Sequence, residues 1–140
     1  MYGAQQRNGR QVLVTGADGF IGSHLVELLV EAGARVRAFV YYNSWQSYGW
    51  LDDVPPATKA ACELVPGDIR DPERVRRAVA GCDYVFHLAS LIGIPYSYVA
   101  AHAYVQTNVL GAVNVLEACR GSDRLQALLH TSTSEDDGTS

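Results

Sequence analysis

Three glycines, Gly16, Gly19 and Gly22, recur every third position in the segment TGADGFIG, directly after a short apolar run. Gly16 can adopt backbone conformations that other residues avoid, and Gly19 has no side chain to keep a pyrophosphate from the backbone. Gly22 allows a helix to pack closely on a strand. Unpaired N–H groups and the helix dipole favour an anion at the start of such a helix. The segment therefore predicts a dinucleotide-binding turn, whose expected contacts are Gly16, Gly19, Phe20, Ile21 and Gly22.

The segments around this turn alternate between strand and helix patterns. Short apolar runs predict strands buried on both faces, and longer stretches with a one-sided apolar pattern predict helices. Helices are expected from about Ile21, after the Asp71 cap, and from about Tyr98 to Arg120. Because right-handed crossovers join parallel strands, the pattern predicts an α/β fold with a Rossmann-like doubly wound parallel sheet. Five strands are predicted, at Gln11–Thr15, Val36–Val40, Glu63–Pro66, Tyr84–Leu88 and Gln126–Thr131.

Size and composition predict a single globular domain over residues 1–140. Eleven basic and fifteen acidic residues give a net charge of −4 without a long run of either sign, so nucleic acid is not an expected partner. No apolar run approaches the roughly 20 residues that span a bilayer, so no membrane partner is expected, and the expected location is the cytoplasm. Cys62, Cys82 and Cys119 have neither metal-ligand spacing nor a disulfide pattern, so no metal site is predicted.

The residues after the second predicted strand bear on the choice between NAD and NADP. In many dinucleotide-binding proteins an acidic residue there accepts hydrogen bonds from the adenosine ribose and selects NAD. The segment FVYYNS has no acidic residue and offers hydroxyls and an amide instead, with Asn43 and Ser44 as predicted contacts. It opens a predicted surface loop from Tyr41 to Pro56, whereas Arg35 and Arg37 lie in or before the strand. These residues leave the choice between NAD and NADP open, and NAD is the expected cofactor.

Several motifs in order along the chain resemble the extended short-chain dehydrogenase/reductase family, the NAD-dependent epimerases and dehydratases of nucleotide sugars. These are the glycine turn, the segments GDIRD at 67–71 and HLAS at 87–90, and the helix segment TNVLG at 107–111. The resemblance implies that Asp68, beside Ile69, holds the adenine ring. It also implies that Asn108 belongs to an active-site network. The segment expected to run beneath the cofactor consists of Leu88, Ala89 and Ser90.

A narrower resemblance, to bacterial sugar-nucleotide 4,6-dehydratases, depends on the loop segments YNS at 42–44 and YGWLD at 48–52 and on IGIPY at 92–96. The segment STSE at 132–135 supports it. The resemblance implies that Thr133 hydrogen-bonds the C4 oxygen of the sugar and that Glu135 removes the C5 proton. Ser134 stands where some relatives have an aspartate, and Tyr96 and Ser134 are predicted substrate contacts. A solvated terminal charge is the alternative for Glu135. A 4-epimerase and an inactive stand-alone dinucleotide-binding protein are the alternative functions.

The family's active site also uses a Tyr-x-x-x-Lys pair beyond the threonine. The only lysine of this chain is Lys59, before the third strand, so the chain is expected to be inactive alone. The resemblance also implies that the domain over residues 1–140 is incomplete and that a C-terminal substrate domain is absent. In the full-length form, it implies a nucleotide-sugar substrate and a homodimer formed through helices that include the long one.

Overall fold

Five parallel strands form the centre of the protein in the computed structural model, which describes residues 9–41, 48–90 and 100–131. The strand order is β3-β2-β1-β4-β5, so the chain reverses direction across the sheet between β1 and β4. This confirms the predicted doubly wound parallel sheet. The strands are β1 (Gln11–Thr15), β2 (Arg35–Tyr41), β3 (Glu63–Gly67), β4 (Tyr84–His87) and β5 (Ala127–His130).

Helices connect the strands, as expected, but one of them was not predicted. A 3₁₀ turn at Gly49–Asp53 and a six-residue helix lie in the second half of the predicted 41–56 loop and just beyond it. The sequence did not predict this helix for two reasons. Two prolines and the aromatic residues of the segment favour a loop, and a helix this short has no measurable amphipathic period. The helices are α1 (Phe20–Glu31), α2 (Pro56–Ala61), α3 (Pro72–Val79), α4 (Ala101–Tyr104) and α5 (Gly111–Arg120).

A π-helical segment, Val105–Leu110, joins α4 to α5 with helical backbone angles at both junctions. We call the whole stretch 101–120 the long helix. Its predicted start at Tyr98 lies outside the described residues. Five large apolar side chains of the long helix are about half exposed, namely Val105, Val109, Leu110, Val113 and Leu116.

The two faces of the sheet carry separate apolar cores. Because side chains alternate along a strand, Val12 and Val14 of β1 pack with α1 on one face, whereas Leu13 packs with α3 and α5 on the other. Both cores are closed by helices, as expected for strands that are apolar on both sides. No helix in the described parts of the chain is long and apolar enough to cross a membrane.

A buried carboxylate ties the amino-terminal ends of three strands together. Asp83, only 2% exposed, accepts hydrogen bonds from the backbone N–H of Gln11 at 2.8 Å and from Arg124 Nε at 3.0 Å. The backbone of Asp83 also pairs with Gln11 O and with the N–H of Gln126, both at 2.8 Å. This network fixes β1, β4 and β5 at the edge of the sheet opposite to the glycine turn.

Candidate functional site

A cavity of about 500 Å³ lies at the carboxyl ends of β1 to β4, beside the point where the strand order reverses. This is the position where open α/β sheets bind their ligands, because the loops on either side of the reversal separate there. Each of these four strands, or the loop after it, contributes to the wall, and the long helix closes one side. The lining residues are Gly16, Asp18, Gly19, Phe39, Tyr41, Gly67, Asp68, Ile69, Arg70, Leu88, Ala89, Ser90, Ala103 and Thr107.

The glycine turn has the backbone geometry needed to bind a phosphate. Gly16 has φ +67°, and a Cβ there would lie 2.8 Å from the backbone nitrogen of Ala89. The N–H of Gly19 closes the turn on Gly16 O at 3.0 Å. Gly19 is also the N-cap of α1 and, having no side chain, makes no capping hydrogen bond. The first N–H groups of α1 are therefore available to an external anion beside the cavity.

The structure brings seven of the predicted cofactor contacts to this cavity. They are Gly16, Gly19, Asp68, Ile69, Leu88, Ala89 and Ser90.

The other predicted site residues lie elsewhere or outside the described residues. Gly22 is buried behind the turn, whereas Phe20 and Ile21 are 58% and 65% exposed and do not line the cavity. Asn108 lies half-buried in the π-helical segment, next to the cavity residue Thr107. The predicted residues outside the described part are Asn43, Ser44, Tyr96, Thr133, Ser134 and Glu135. All of these functional assignments stay predictions.

Asp68, at the end of β3, is paired with Arg70. The carboxylate of Asp68 accepts hydrogen bonds from Arg70 Nε and from its backbone N–H, each at 2.9 Å. The side-chain hydrogen bond from Arg70 lowers the pKa of Asp68. Arg70 Nη1 also donates to Gln106 Oε1 of the long helix at 3.3 Å. The carboxylate is therefore ionised and held in place at the outer end of the cavity.

A threonine and a histidine fix the floor of the cavity. Thr15 Oγ1 accepts the backbone N–H groups of Leu88 at 3.0 Å and Ala89 at 3.1 Å. Because both acceptor positions of the hydroxyl are used, its hydrogen must point to His87 Nδ1, 2.8 Å away. His87 is therefore neutral with its proton on Nε2, and it is buried, as expected for a core histidine. His130 stacks beside it with ring centroids 5.3 Å apart.

The burial of His87 predicts a pH-dependent stability. Burial, with a smaller contribution from His130, lowers the pKa of His87 to about 4, against about 6.5 in an unfolded chain. Between these values the unfolded chain binds more protons, so stability is complete above about pH 6.5 and is lost as the pH falls towards 4. We expect the free energy of unfolding, measured by urea denaturation, to fall by about 2 kcal/mol from about pH 7.5 to about pH 5.

The variant His87→Asn keeps an oxygen to accept the Thr15 hydroxyl but does not titrate in this range. It should remove most of that pH dependence. An equal slope in wild type and His87→Asn would contradict the assignment.

Seven residues of the cavity were not among the predicted contacts, although the sequence left the Tyr41 hydroxyl open as a cofactor contact. They are Asp18, Phe39, Tyr41, Gly67, Arg70, Ala103 and Thr107. Asp18 and Tyr41 line it together, and Arg70 lies over Asp68. Asp18 stands inside the glycine turn, so its position was available as a signal. Its contact with Tyr41, 23 positions away, depends on the pairing of β1 with β2.

Fold and site together define a Rossmann-like nucleotide-binding domain, and comparison with known proteins gives its family. Residues 13–139 match the family model described as GDP-mannose 4,6 dehydratase. The chain belongs to the extended short-chain dehydrogenase/reductase family of NAD-dependent epimerases and dehydratases. The family depends on NAD or NADP.

Curated relatives carry different activities. The chain is 35% identical over 122 residues to a 2-alkyl-3-oxoalkanoate reductase of Shewanella oneidensis, covering 86% of the chain and 27% of the relative. It is 33% identical to UDP-glucuronate 4-epimerase 4 of Arabidopsis thaliana, covering 91% of the chain and 30% of the relative. The chain thus spans about a third or less of the length of these relatives.

Solved structures also match most of this chain with only part of their own length. An epimerase from Methanothermobacter thermautotrophicus superposes with a TM-score of 0.79 at 32% identity, covering 94% of this chain and 37% of that one. A Thermus thermophilus UDP-glucose 4-epimerase, solved as a complex with NAD, gives a TM-score of 0.64 at 34% identity, covering 79% of this chain and 33% of that one. The architecture is therefore that of the epimerase fold family.

Proposed function

We propose that this chain is the NAD-binding portion of a nucleotide-sugar 4,6-dehydratase. The observation that carries the proposal is the cavity at the strand reversal, where a glycine turn, the uncapped start of α1 and Asp68 meet. The uncapped N–H groups suit a pyrophosphate, and the Asp68 carboxylate suits the amino group of an adenine. Gly19 has no side chain, and this leaves the approach of a phosphate to the turn open. An added Cβ there would lie beside Gly16 O. The residues present thus fit a dinucleotide.

The proposed chemistry depends on groups held beside the strand ends. NAD, when bound, would accept a hydride from C4 of the sugar and later return it at C6. Thr133 would hydrogen-bond the C4 oxygen, and Glu135 would remove the C5 proton that becomes acidic after oxidation. The family model supports a dehydratase by its description, and the Thr-x-Glu spacing of Thr133 and Glu135 agrees with that.

A nucleotide-sugar 4-epimerase is the second candidate, because relatives named as UDP-glucuronate and UDP-glucose 4-epimerases match this chain over most of its length. Oxidation at C4 is common to both reactions. Only the dehydratase needs a base at C5 and the loss of water across C5 and C6. A requirement for Glu135 in turnover therefore distinguishes the two candidates, because a 4-epimerase does not remove the C5 proton of the sugar.

The first test is direct binding. We expect isothermal titration to give a dissociation constant for NAD between about 1 and about 100 µM, because a formed phosphate turn and cavity need little reorganisation. UDP-glucose titrated alone is the control ligand and should bind far more weakly to this chain. Failure of NAD to bind at millimolar concentration would remove the proposal.

The second test is product analysis in a protein that carries the Tyr-x-x-x-Lys pair as well. Formation of a 4-keto-6-deoxy sugar from a nucleotide sugar supports the dehydratase, and formation of the 4-epimer supports the alternative.

Two further expectations accompany this function. The half-exposed apolar side chains of the long helix support a homodimer formed through that helix. A nucleotide-sugar substrate is expected because the epimerase relatives act on UDP-sugars by name. The cytoplasmic location stays a prediction.

A further inference from the structure

One carboxylate in the cavity is not explained by the glycine turn or by the adenine contact. Asp18 precedes Gly19 in the turn and lines the cavity together with Tyr41, the last residue of β2. Its Oδ2 accepts the backbone N–H of Tyr41 at a long 3.4 Å. The carboxylate therefore lies at the carboxyl end of β2, although it comes from the turn after β1.

The backbone of Asp18 is held firmly. Its carbonyl oxygen accepts the N–H of Trp50 at 2.9 Å, and Gly49, with φ +57°, packs so closely that a Cβ there would lie 2.5 Å from the same oxygen. The N–H of Ala17 donates to Phe39 O at 3.2 Å, which joins the turn to β2. The backbone that carries the carboxylate is thus held in place before any ligand binds.

The charge of Asp18 is poorly compensated. It is half-buried and makes no ion pair with a described residue, whereas the other cavity carboxylate, Asp68, is bound to Arg70. Burial raises the pKa of Asp18, although its own N–H and that of Tyr41 act to lower it. Apart from these two N–H groups, the carboxylate accepts no hydrogen bond from a described residue, and it lines the cavity, so hydroxyl donors of a ligand would stabilise it.

The surroundings also disfavour a second phosphate. Arg70 is the one guanidinium among the described lining residues, and it is occupied by Asp68 and Gln106. Arg37 of β2 lies on the α3 side of the sheet, where it donates to Ala78 O at 2.6 Å and pairs with Glu63 at 3.0 Å. Neither arginine is free to neutralise a 2′-phosphate at the end of β2.

We infer that Asp18 is the residue that reads the adenosine ribose, accepting a hydrogen bond from its 2′-hydroxyl and repelling the 2′-phosphate of NADP. This rests on the proposed dinucleotide binding and adds to it the choice of cofactor. In many dinucleotide-binding proteins a carboxylate carried by β2 does this at the same end of the sheet. Here the glycine turn supplies it, which accounts for the absence of an acid in Phe39–Tyr41, the end of β2.

The test is a thermodynamic cycle between this residue and the 2′-hydroxyl. Dissociation constants of NAD, NAD with a 2′-deoxyadenosine, and NADP are measured by titration calorimetry for wild type and Asp18→Asn. Wild type should bind NAD at least about ten-fold more tightly than the deoxy analogue and about 100-fold more tightly than NADP. Asp18→Asn keeps an oxygen for the N–H of Tyr41 but loses the charge. We call the ratio of the dissociation constants of the 2′-deoxy analogue and NAD the deoxy penalty. In this variant we expect the deoxy penalty to shrink to about two-fold. We also expect the ratio of the dissociation constants of NADP and NAD to fall by about ten-fold or more.

Asp53→Asn removes the same charge from an exposed residue outside the cavity and should change none of these ratios. If wild type binds NAD but shows no deoxy penalty, or prefers NADP, the role of Asp18 is wrong and NAD binding still stands. The same holds if Asp18→Asn leaves both ratios unchanged. If wild type binds none of the three ligands, the proposed function itself fails. The wild-type deoxy penalty decides the question even if the Asp18→Asn chain does not fold.

Discussion

Gly22→Ala should weaken NAD binding by at least about 100-fold and lower the free energy of unfolding by about 2 to 4 kcal/mol. A Cβ at this position would lie 2.1 Å from the carbonyl oxygen of Gly16 and 3.0 Å from Ala17 Cα. Both atoms belong to the backbone, so either α1 or the glycine turn must move. Movement of the turn would displace the N–H groups proposed to hold the pyrophosphate. Urea denaturation and NAD titration of the same preparation measure the two effects.

Gly121→Ala is the matched control for this substitution. Gly121 has φ −81° at the end of α5, and the nearest atom to an added Cβ is Glu117 O at 3.7 Å, an ordinary contact. We expect its stability to change by no more than about 1 kcal/mol, and NAD binding to stay as in wild type. Wild-type affinity and stability in Gly22→Ala would show that the turn is not as tightly packed as described.

Asp83→Ala should lower the free energy of unfolding by about 3 kcal/mol at neutral pH. The substitution leaves the buried N–H of Gln11 without its acceptor and Arg124 without its partner. Burial acts to raise the pKa of Asp83, but the Gln11 N–H and the two arginines, Arg124 and Arg10, lower it overall. The carboxylate is therefore charged at neutral pH, and its contribution is present above the ordinary aspartate pKa of about 3.9 and lost below it.

Asp83→Asn separates hydrogen bonding from charge. It keeps an oxygen for Gln11 but weakens the bond to Arg124, so we expect about half of the loss seen with alanine, measured by urea denaturation. NAD affinity of the folded variants should be unaltered, because Asp83 lies at the amino-terminal end of β4 and the cavity lies at the carboxyl end. Equal stability of Asp83→Ala and wild type would mean that the network contributes nothing to folding.

All five strands were predicted to within one residue at each end. β1 is short, largely apolar and bounded by Arg10 and Gly16, and β4 is short, largely apolar and preceded by Asp83, so local sequence alone predicts them. The same holds for α3, where Asp71 caps the helix by accepting the N–H groups of Glu73 and Arg74. The π-helical segment Val105–Leu110 was not predicted, because its residues continue the apolar pattern of an ordinary helix.

The sequence by itself determined the order of the elements, the glycine turn and the candidate contacts that immediately follow strands. Such features depend on backbone preferences and apolar periodicity among near neighbours. Only the tertiary structure placed Asp18 against Tyr41, His87 against Thr15 and Arg124 against Asp83. These pairs are 23, 72 and 41 positions apart. They meet because the parallel crossovers set β2 and β4 on either side of β1 and β5 beside β4. This arrangement is fixed by burying both faces of the sheet and not by residues adjacent in the chain.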